Sequence, residues 1–463
     1  MRASLSASIR TRAPSWPRAV AAALLAPAVL ALAAPASANG RYPAAGLIAV
    51  DPSDPAHLIV RATYGVLSTR DRGGEWRWIC EAAIGFGGFE DPMVAILADG
   101  TILAGVFKGL SASKSGGCDW AFAGGDLTNR YVTDLSAERA DPSRAVLVIS
   151  NGIGSGQFIT QLWETTDSAG SWTQAGIDLP GEFLAFTVDV APSDPSRVYV
   201  SGRYGAPDYL GAIERSPDRG QTWERLDIPG ADDLHLAYLG AIDPADPDRI
   251  YVRLDADPSD SLIVSTTGGE TWTTAFQGQG DLLGFEISPD GATVLIGGPQ
   301  DGLWRAPAAT LQFEKIADTS VRCLTWTADG LLACASELAD GFTAGVSIDE
   351  GESFTPILHL DTLCGPLECA VGSSVEAICT DQWGATQLAL DTKDCGPVET
   401  SSSSGSGVAP VDLNASGGGG CRVGGAAWPL SWAALAAAAV AVLARKLGGR
   451  RSSERGHQPR RSS

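Results

Sequence analysis

The 463-residue chain carries 33 Lys and Arg against 54 Asp and Glu, a formal net charge of −21 at pH 7. So acidic a surface repels polyphosphate and anionic membrane, which excludes nucleic acid as a partner. With only four histidines (His57, His235, His359, His457) and no Cys-x-x-Cys among nine cysteines, neither a metal site nor a cofactor is expected.

The chain begins with a basic stretch (Arg2, Arg10, Arg12, Arg18), an Ala/Leu/Val run from Ala19 to Ala34, and the small-residue pattern Ala36-Ser37-Ala38. Residues 1–38 therefore read as a secretory signal peptide cleaved after Ala38.

From about residue 44 one phrase recurs: "TRDRGGEW" (69–76), "SKSGGCDW" (113–120), "TTDSAGSW" (165–172), "SPDRGQTW" (216–223), "STTGGETW" (265–272) and "SIDEGESF" (347–354). Each has a hydroxyl residue, then usually Asp, then Gly, then an aromatic at the eighth place: Trp76, Trp120, Trp172, Trp223, Trp272 and Phe354. One gap is double length, and Phe313 stands in its middle. Upstream of each phrase two apolar runs flank a turn, as in "LIAVDPSDPAHLIVRA" and "GAIDPADPDRIYVRL". Each unit thus supplies four short strands. A period of about 40–50 residues with four strands per unit predicts an all-β, seven-bladed β-propeller over 39–360. Closure into a ring would hide the sheet edges.

The phrase resembles the Asp-box (BNR) repeat of sialidases, sortilin-like receptors and related propellers. That resemblance implies a hairpin between the third and fourth strands of each blade. Asp71, Asp167, Asp218 and Asp349 would then be structural, accepting backbone N–H groups in a tight turn. Ser115 and Thr267 at the same place show that the position survives loss of charge.

The hydrolases of this class are poorly matched. No Arg-Ile-Pro of the sialidases occurs, and "LIVRATYGVLSTRDRGGEWRW" resembles the opening blade of two-propeller xyloglucanases without its acid. Where that resemblance implies a catalytic Asp after Arg-Thr, this chain has Arg61-Ala62-Thr63-Tyr64. The acidic run "DADPSDS" (255–261) lacks the glycine and terminal Glu of a calcium loop and reads as a solvated turn. The expectation is therefore a recognition or scaffold module for an extracellular glycan or protein, with a carbohydrate-active hydrolase as the alternative. Its binding face would lie where the non-repeating loops gather, with Arg61, Phe86, Phe89, Phe158, Arg203, Tyr204, Tyr209 and Arg253 as candidate contacts.

Eight cysteines are available for pairing in an oxidising compartment. Cys323 and Cys334 flank a tight hairpin and suit a bridge, which leaves Cys80 with Cys118 as a second pair. Cys364, Cys369, Cys379 and Cys395 fall in a small cystine-rich segment, 361–397, with three possible connectivities. Residues 398–420 read as a Gly/Ser-rich stalk. The tail, 421–463, holds Cys421 after a glycine run, an uncharged stretch at 426–444 long enough to span a bilayer, and an arginine cluster. This order resembles the MYXO-CTERM sorting signal of myxobacterial surface proteins. The resemblance implies a membrane protease acting near Cys421, lipid attachment there, and a protein anchored at the cell surface or outer membrane or released from it.

Overall fold

A computed structural model describes residues 41–205 and 209–392. The leader, Cys395, the stalk, Cys421 and the 426–444 stretch lie outside the described residues. Among the described residues, no helix is long and apolar enough to cross a membrane.

Twenty-eight strands form seven antiparallel blades, each from one continuous stretch of chain, so that β1–β4 make blade 1 and β25–β28 make blade 7. The first strand of each blade lines a central channel: β1 (Ala45–Val50), β5 (Met93–Ile96), β9 (Val132–Ala137), β13 (Phe183–Val190), β17 (His235–Ile242), β21 (Gly284–Ile287) and β25 (Cys323–Thr327). Each touches the first strands of both neighbours, and β25 touches β1, which closes the ring.

Burial grades across a blade, and composition follows it. The middle strands β2 (Leu58–Ala62) and β3 (Gly65–Thr69) are covered by neighbouring blades on both faces and read as near-continuous apolar runs. The channel strand β1 is only partly buried, with Ala45 and Ile48 covered and its other four positions half-buried. The outer strand β16 (Glu224–Asp227), sequence ERLD, is mostly exposed.

The repeated phrase forms the hairpin between the third and fourth strands of six blades. Two tiers of hydrogen bonds hold it. The leading hydroxyl accepts an N–H four residues on: Thr69 from Gly73, Ser113 from Gly117, Thr165 from Ala169, Ser216 from Gly220, Ser265 from Gly269 and Ser347 from Gly351, at 2.7–3.1 Å. The third position repeats the device one step later. Asp71, Asp167, Asp218 and Asp349 accept the N–H of Glu75, Ser171, Thr222 and Ser353 at 2.8–2.9 Å. Ser115 and Thr267 accept the equivalent N–H of Asp119 and Thr271 through a hydroxyl. An oxygen acceptor is what the turn needs, and charge is optional. Two consecutive residues adopt positive φ in every copy, such as Arg219 at 54° and Gly220 at 84°. A Cβ on Gly220 would lie 2.6 Å from the Ala175 carbonyl oxygen, so the seam between blades adds a steric reason for glycine.

These hairpins also join blades. The indole N–H of Trp76 donates to Ile357 O of blade 7 at 2.7 Å, and that of Trp223 to Ile177 O of blade 3 at 3.3 Å. The fourth residue of the phrase reaches the preceding blade too. Arg72 pairs with Asp329, Arg219 with Glu138 and Glu164, and Glu350 with Arg305.

After blade 7 the chain does not form a separate module. Leu363–Pro366 (β29) pairs in parallel with β4 (Trp76–Ile79), making blade 1 five-stranded, and Ser374–Leu390 forms helix α3 across the seam of blades 1 and 2. Two short helices, α1 (Glu81–Ile84) and α2 (Glu337–Asp340), precede it in the inter-strand connections. Cys379 on α3 bonds Cys80, and Cys369 bonds Cys118. The expected Cys80–Cys118 pair is therefore incorrect. Cys80, just after β4, and Cys118, in the third-to-fourth-strand hairpin of blade 2, are each bonded instead to the segment that follows blade 7. Nor do the four later cysteines pair only among themselves. Cys323 and Cys334 face each other on β25 and β26 (Gly330–Cys334) and are bonded. Cys364 is also disulfide-bonded.

One carboxyl in the channel wall bears on pH. Asp134 on β9 is 6% exposed and accepts the Val188 N–H of β13 at 2.7 Å. Burial pushes its carboxyl up to about 7, against the pull of its backbone hydrogen bonds, and nearby Asp189 adds to the rise. The folded protein thus retains a proton that the unfolded chain releases near the ordinary value of 3.8. Stability from this group is full below that value and is lost as pH rises toward 7. Asp134→Asn keeps an acceptor for Val188 and is expected to flatten stability between pH 4 and 7. It should raise stability at pH 8 by on the order of 1–2 kcal/mol. Urea melts at pH 5 and pH 8 check this; a variant less stable at pH 8 would show that the charge is required.

Candidate functional site at the channel mouth

The channel opens at the rim where β1 begins and the second-to-third-strand loops gather. A cavity of about 510 Å³ lies there. Blade 1 contributes Arg61 from the end of β2, blade 5 contributes Tyr238 from β17 and Arg253 from β18 (Ile250–Ala256), and blade 6 contributes Phe285 from β21. Arg322, immediately before β25, completes the wall. The lining gathers residues from six blades because each first strand starts at this rim.

The polar groups are held in distinct ways. Arg61 donates to the carbonyl oxygens of Gly46 at 2.9 Å and Asp91 at 3.0 Å. Gly46 must lack a side chain for this pose, since a Cβ would sit 2.6 Å from Arg61 Nη2. Arg41 pairs with the Asp91 carboxylate. Arg253 pairs with Asp260 at 3.0 Å and Asp255 at 3.4 Å, with its guanidinium 5.0 Å from the centre of the Tyr238 ring. Asp260 is 1% exposed and also accepts the N–H groups of Ala256 and Leu282. The "DADPSDS" turn is therefore anchored by a buried carboxylate rather than wholly solvated. Burial raises the Asp255 carboxyl, Arg253 opposes that, and Asp260 and Asp281 reinforce it. Among the described residues no group of three or more His, Cys, Asp or Glu is placed to hold a metal.

Of the eight contacts expected from sequence, Arg61 and Arg253 line this cavity. Phe86 is 7% exposed and packs in the core beside α1. Tyr204 is 9% exposed; its hydroxyl donates to Glu214 and its ring lies 3.8 Å beneath the Arg225 guanidinium. Both are structural: Phe86 follows α1 into the core, and Tyr204 packs between Arg225 and Phe183. Arg203 lies 5.9 Å from the Tyr209 ring, away from the cavity. Phe89 is exposed and Phe158 half-buried, its N–H bonded to Gly181 O, and neither lines the cavity. Sequence reasoning missed Arg41, Asp91, Tyr238, Phe285 and Arg322. The signal available was an aromatic in the first strand of a blade ("HLAYLG", "LGFEIS"), where a small residue would leave the channel wider.

A larger cavity of about 730 Å³ lies between blades 2 and 3, against Trp120, Trp163 and Trp172. Trp120 there donates to Gly117 O of its own hairpin and Trp163 is 7% exposed, so these indoles chiefly pack the seam. Convergent charge distinguishes the channel mouth as the better candidate.

No protein-family model matches this sequence. A 90-residue stretch is 37% identical to Xgh74A, a xyloglucanase of Acetivibrio thermocellus, covering 18% of this chain and 10% of that protein. A 187-residue stretch is 27% identical to a xyloglucanase of a Paenibacillus species, covering 33% of this chain and 17% of the relative. The matched stretches thus span less than a fifth of either relative's length. An ancestral GH74 enzyme of known structure shares the fold at a TM-score of 0.52 and 15% identity, over 68% of this chain and 46% of that one.

Proposed function

We propose that this chain is an exported, carbohydrate-active propeller of the xyloglucanase type that engages a β-linked glucan at the channel mouth. The observation that carries it is the mouth cavity, where Tyr238 and Phe285 meet guanidinium and carboxylate groups, in a chain whose curated relatives are xyloglucanases. Aromatic faces with a few convergent polar groups suit a sugar polymer. The repeated hairpins support the Asp-box reading of the blades, and three disulfides among the described residues support an oxidising, extracellular setting. Anchoring at the cell surface through Cys421 or the 426–444 stretch, after cleavage by a sorting protease, belongs to the same proposal.

Hydrolysis needs an acid and a second carboxylate flanking the scissile bond. Asp255, raised by burial and paired with the lining Arg253, suits the acid, and Asp91 in the cavity wall offers the second group. One observation favours a second reading, recognition without turnover. Ala62 and Thr63 stand where the xyloglucanase resemblance implies the acid, and the Thr63 hydroxyl is committed to Tyr42 O and Ala44 N. Incubating the full chain with soluble xyloglucan decides between them. Release of reducing ends, abolished by Asp255→Asn, is the expected result. Binding with no release would establish the recognition role, and neither binding nor release would sink both.

A further inference from the structure

Positive charge is scarce in this chain, and one guanidinium group at the mouth, that of Arg322, has no acid paired with it. Arg322 makes no ion pair and no side-chain hydrogen bond among the described residues, although it is half-buried in the cavity wall. Arg61 is held by the backbone carbonyls of Gly46, Asp91 and Pro92, and shares the field of the Asp91 carboxylate with Arg41. Of the other lining arginines, Arg41 pairs with Asp91, and Arg253 with Asp255 and Asp260. Four arginines at the mouth thus face three acids, Asp91, Asp255 and Asp260, and in a chain with 54 acidic residues that local excess is not explained by solubility or by packing.

The arginine positions are also braced. The Arg322 N–H donates to Cys334 O at 2.9 Å, beside the Cys323–Cys334 bond that ties β25 to β26. Arg61 is fixed by its three carbonyls and by the missing side chain of Gly46. A planar guanidinium matches a carboxylate's two oxygens better than an ammonium does.

We infer that Arg322 and Arg61 form an anion subsite at the channel mouth that takes the carboxylate of a uronic-acid residue in an otherwise neutral polysaccharide. This rests on the mouth being a polysaccharide site, and it departs from the wholly neutral glucan that the relatives' names suggest. Tyr238 and Phe285 offer the apolar faces for the neighbouring sugars of the same chain.

The test is calorimetric titration of the full chain with an oligogalacturonate, a neutral xyloglucan oligosaccharide and sodium sulfate. The oligogalacturonate should bind, and Arg322→Gln should weaken it by about tenfold or more, several times more than it weakens the neutral sugar. Arg322→Lys keeps the charge and should restore most of the loss, which separates recognition from misfolding; a melting curve checks each variant. Unchanged oligogalacturonate affinity in Arg322→Gln overturns the inference. So does sulfate binding without uronate binding, which would make this a site for free oxyanions. Oligogalacturonate bound with no binding or cleavage of neutral xyloglucan upholds the subsite and removes the xyloglucanase reading. Neutral xyloglucan handled with oligogalacturonate ignored does the reverse.

Discussion

Replacing Cys80 and Cys379 by alanine is expected to cost about 3–4 kcal/mol, and removing Cys118 and Cys369 as well should cost more than twice that. The reason is nesting. The Cys80–Cys379 bond spans 299 residues and the Cys118–Cys369 bond spans 251 inside it. With one bond intact, the other closes a residual loop of only roughly 50 residues, worth about 4 kcal/mol of unfolded-chain entropy. With both gone, the unfolded chain recovers the freedom of the whole ring, worth nearer 5–6 kcal/mol again. The two losses should therefore be more than additive, which a double-mutant cycle reads directly. The folded side points the same way, because these bonds fasten the clasp of β29 and α3 onto blades 1 and 2. Val375 N–H donates to Cys118 O, and Trp383 lies 5.7 Å from Trp78. Urea melts followed by tryptophan fluorescence give the values. A four-cysteine variant within 1 kcal/mol of the wild type would show that the ring closes without its clasp.

How far the sequence carried this structure depends on the range of the interactions involved. The hairpins were legible because each is a local device: Ser216, Asp218 and Gly220 satisfy one another within five residues, and the pattern returns six times. The channel and middle strands were legible for a similar reason, since their burial imprints an apolar run of fixed length. The clasp was not. Which cysteines meet is decided by where the chain after blade 7 lies down, and β29 and α3 take Cys80 and Cys118 separately. Helix α3 did leave a local signal, Ser373 three residues before Glu376, with the Ser373 oxygen accepting the Glu376 N–H. Attention to the four cysteines obscured it. The channel mouth was half legible. Arg61 and Arg253 recur at the same strand position, but Arg322 and Asp91 join them only through ring geometry. Phe86 and Tyr204 failed as surface contacts because aromatic character alone does not separate a binding face from a core position.

Arg219→Ala is expected to destabilise the propeller by about 2–3 kcal/mol, although Arg219 sits in a surface hairpin. Its Nη2 donates to Glu138 at 2.7 Å, its Nε to Glu164 at 2.8 Å, and its Nη1 to the Pro195 carbonyl at 2.6 Å. Glu138 is 4% exposed, so the substitution strands a carboxylate in the seam between blades 3 and 4. Removing one partner of a buried ion pair costs about 3–5 kcal/mol, and the remaining Arg144, 3.2 Å from Glu138, reduces that figure. Arg219→Lys should lose less, keeping charge but not the three-way fork. The informative variant is the double one. If stranded charge is the cause, adding Glu138→Gln to Arg219→Ala should recover part of the loss, because a neutral amide is cheaper to leave half-paired. If the guanidinium serves only as packing, Glu138→Gln will add a further loss instead. Arg72 occupies the same hairpin position in blade 1 but pairs with Asp329 where both side chains are about half exposed. Arg72→Ala should therefore cost less than about 1 kcal/mol. The contrast between the two arginines isolates burial at the seam, rather than the hairpin itself, as the source of the effect.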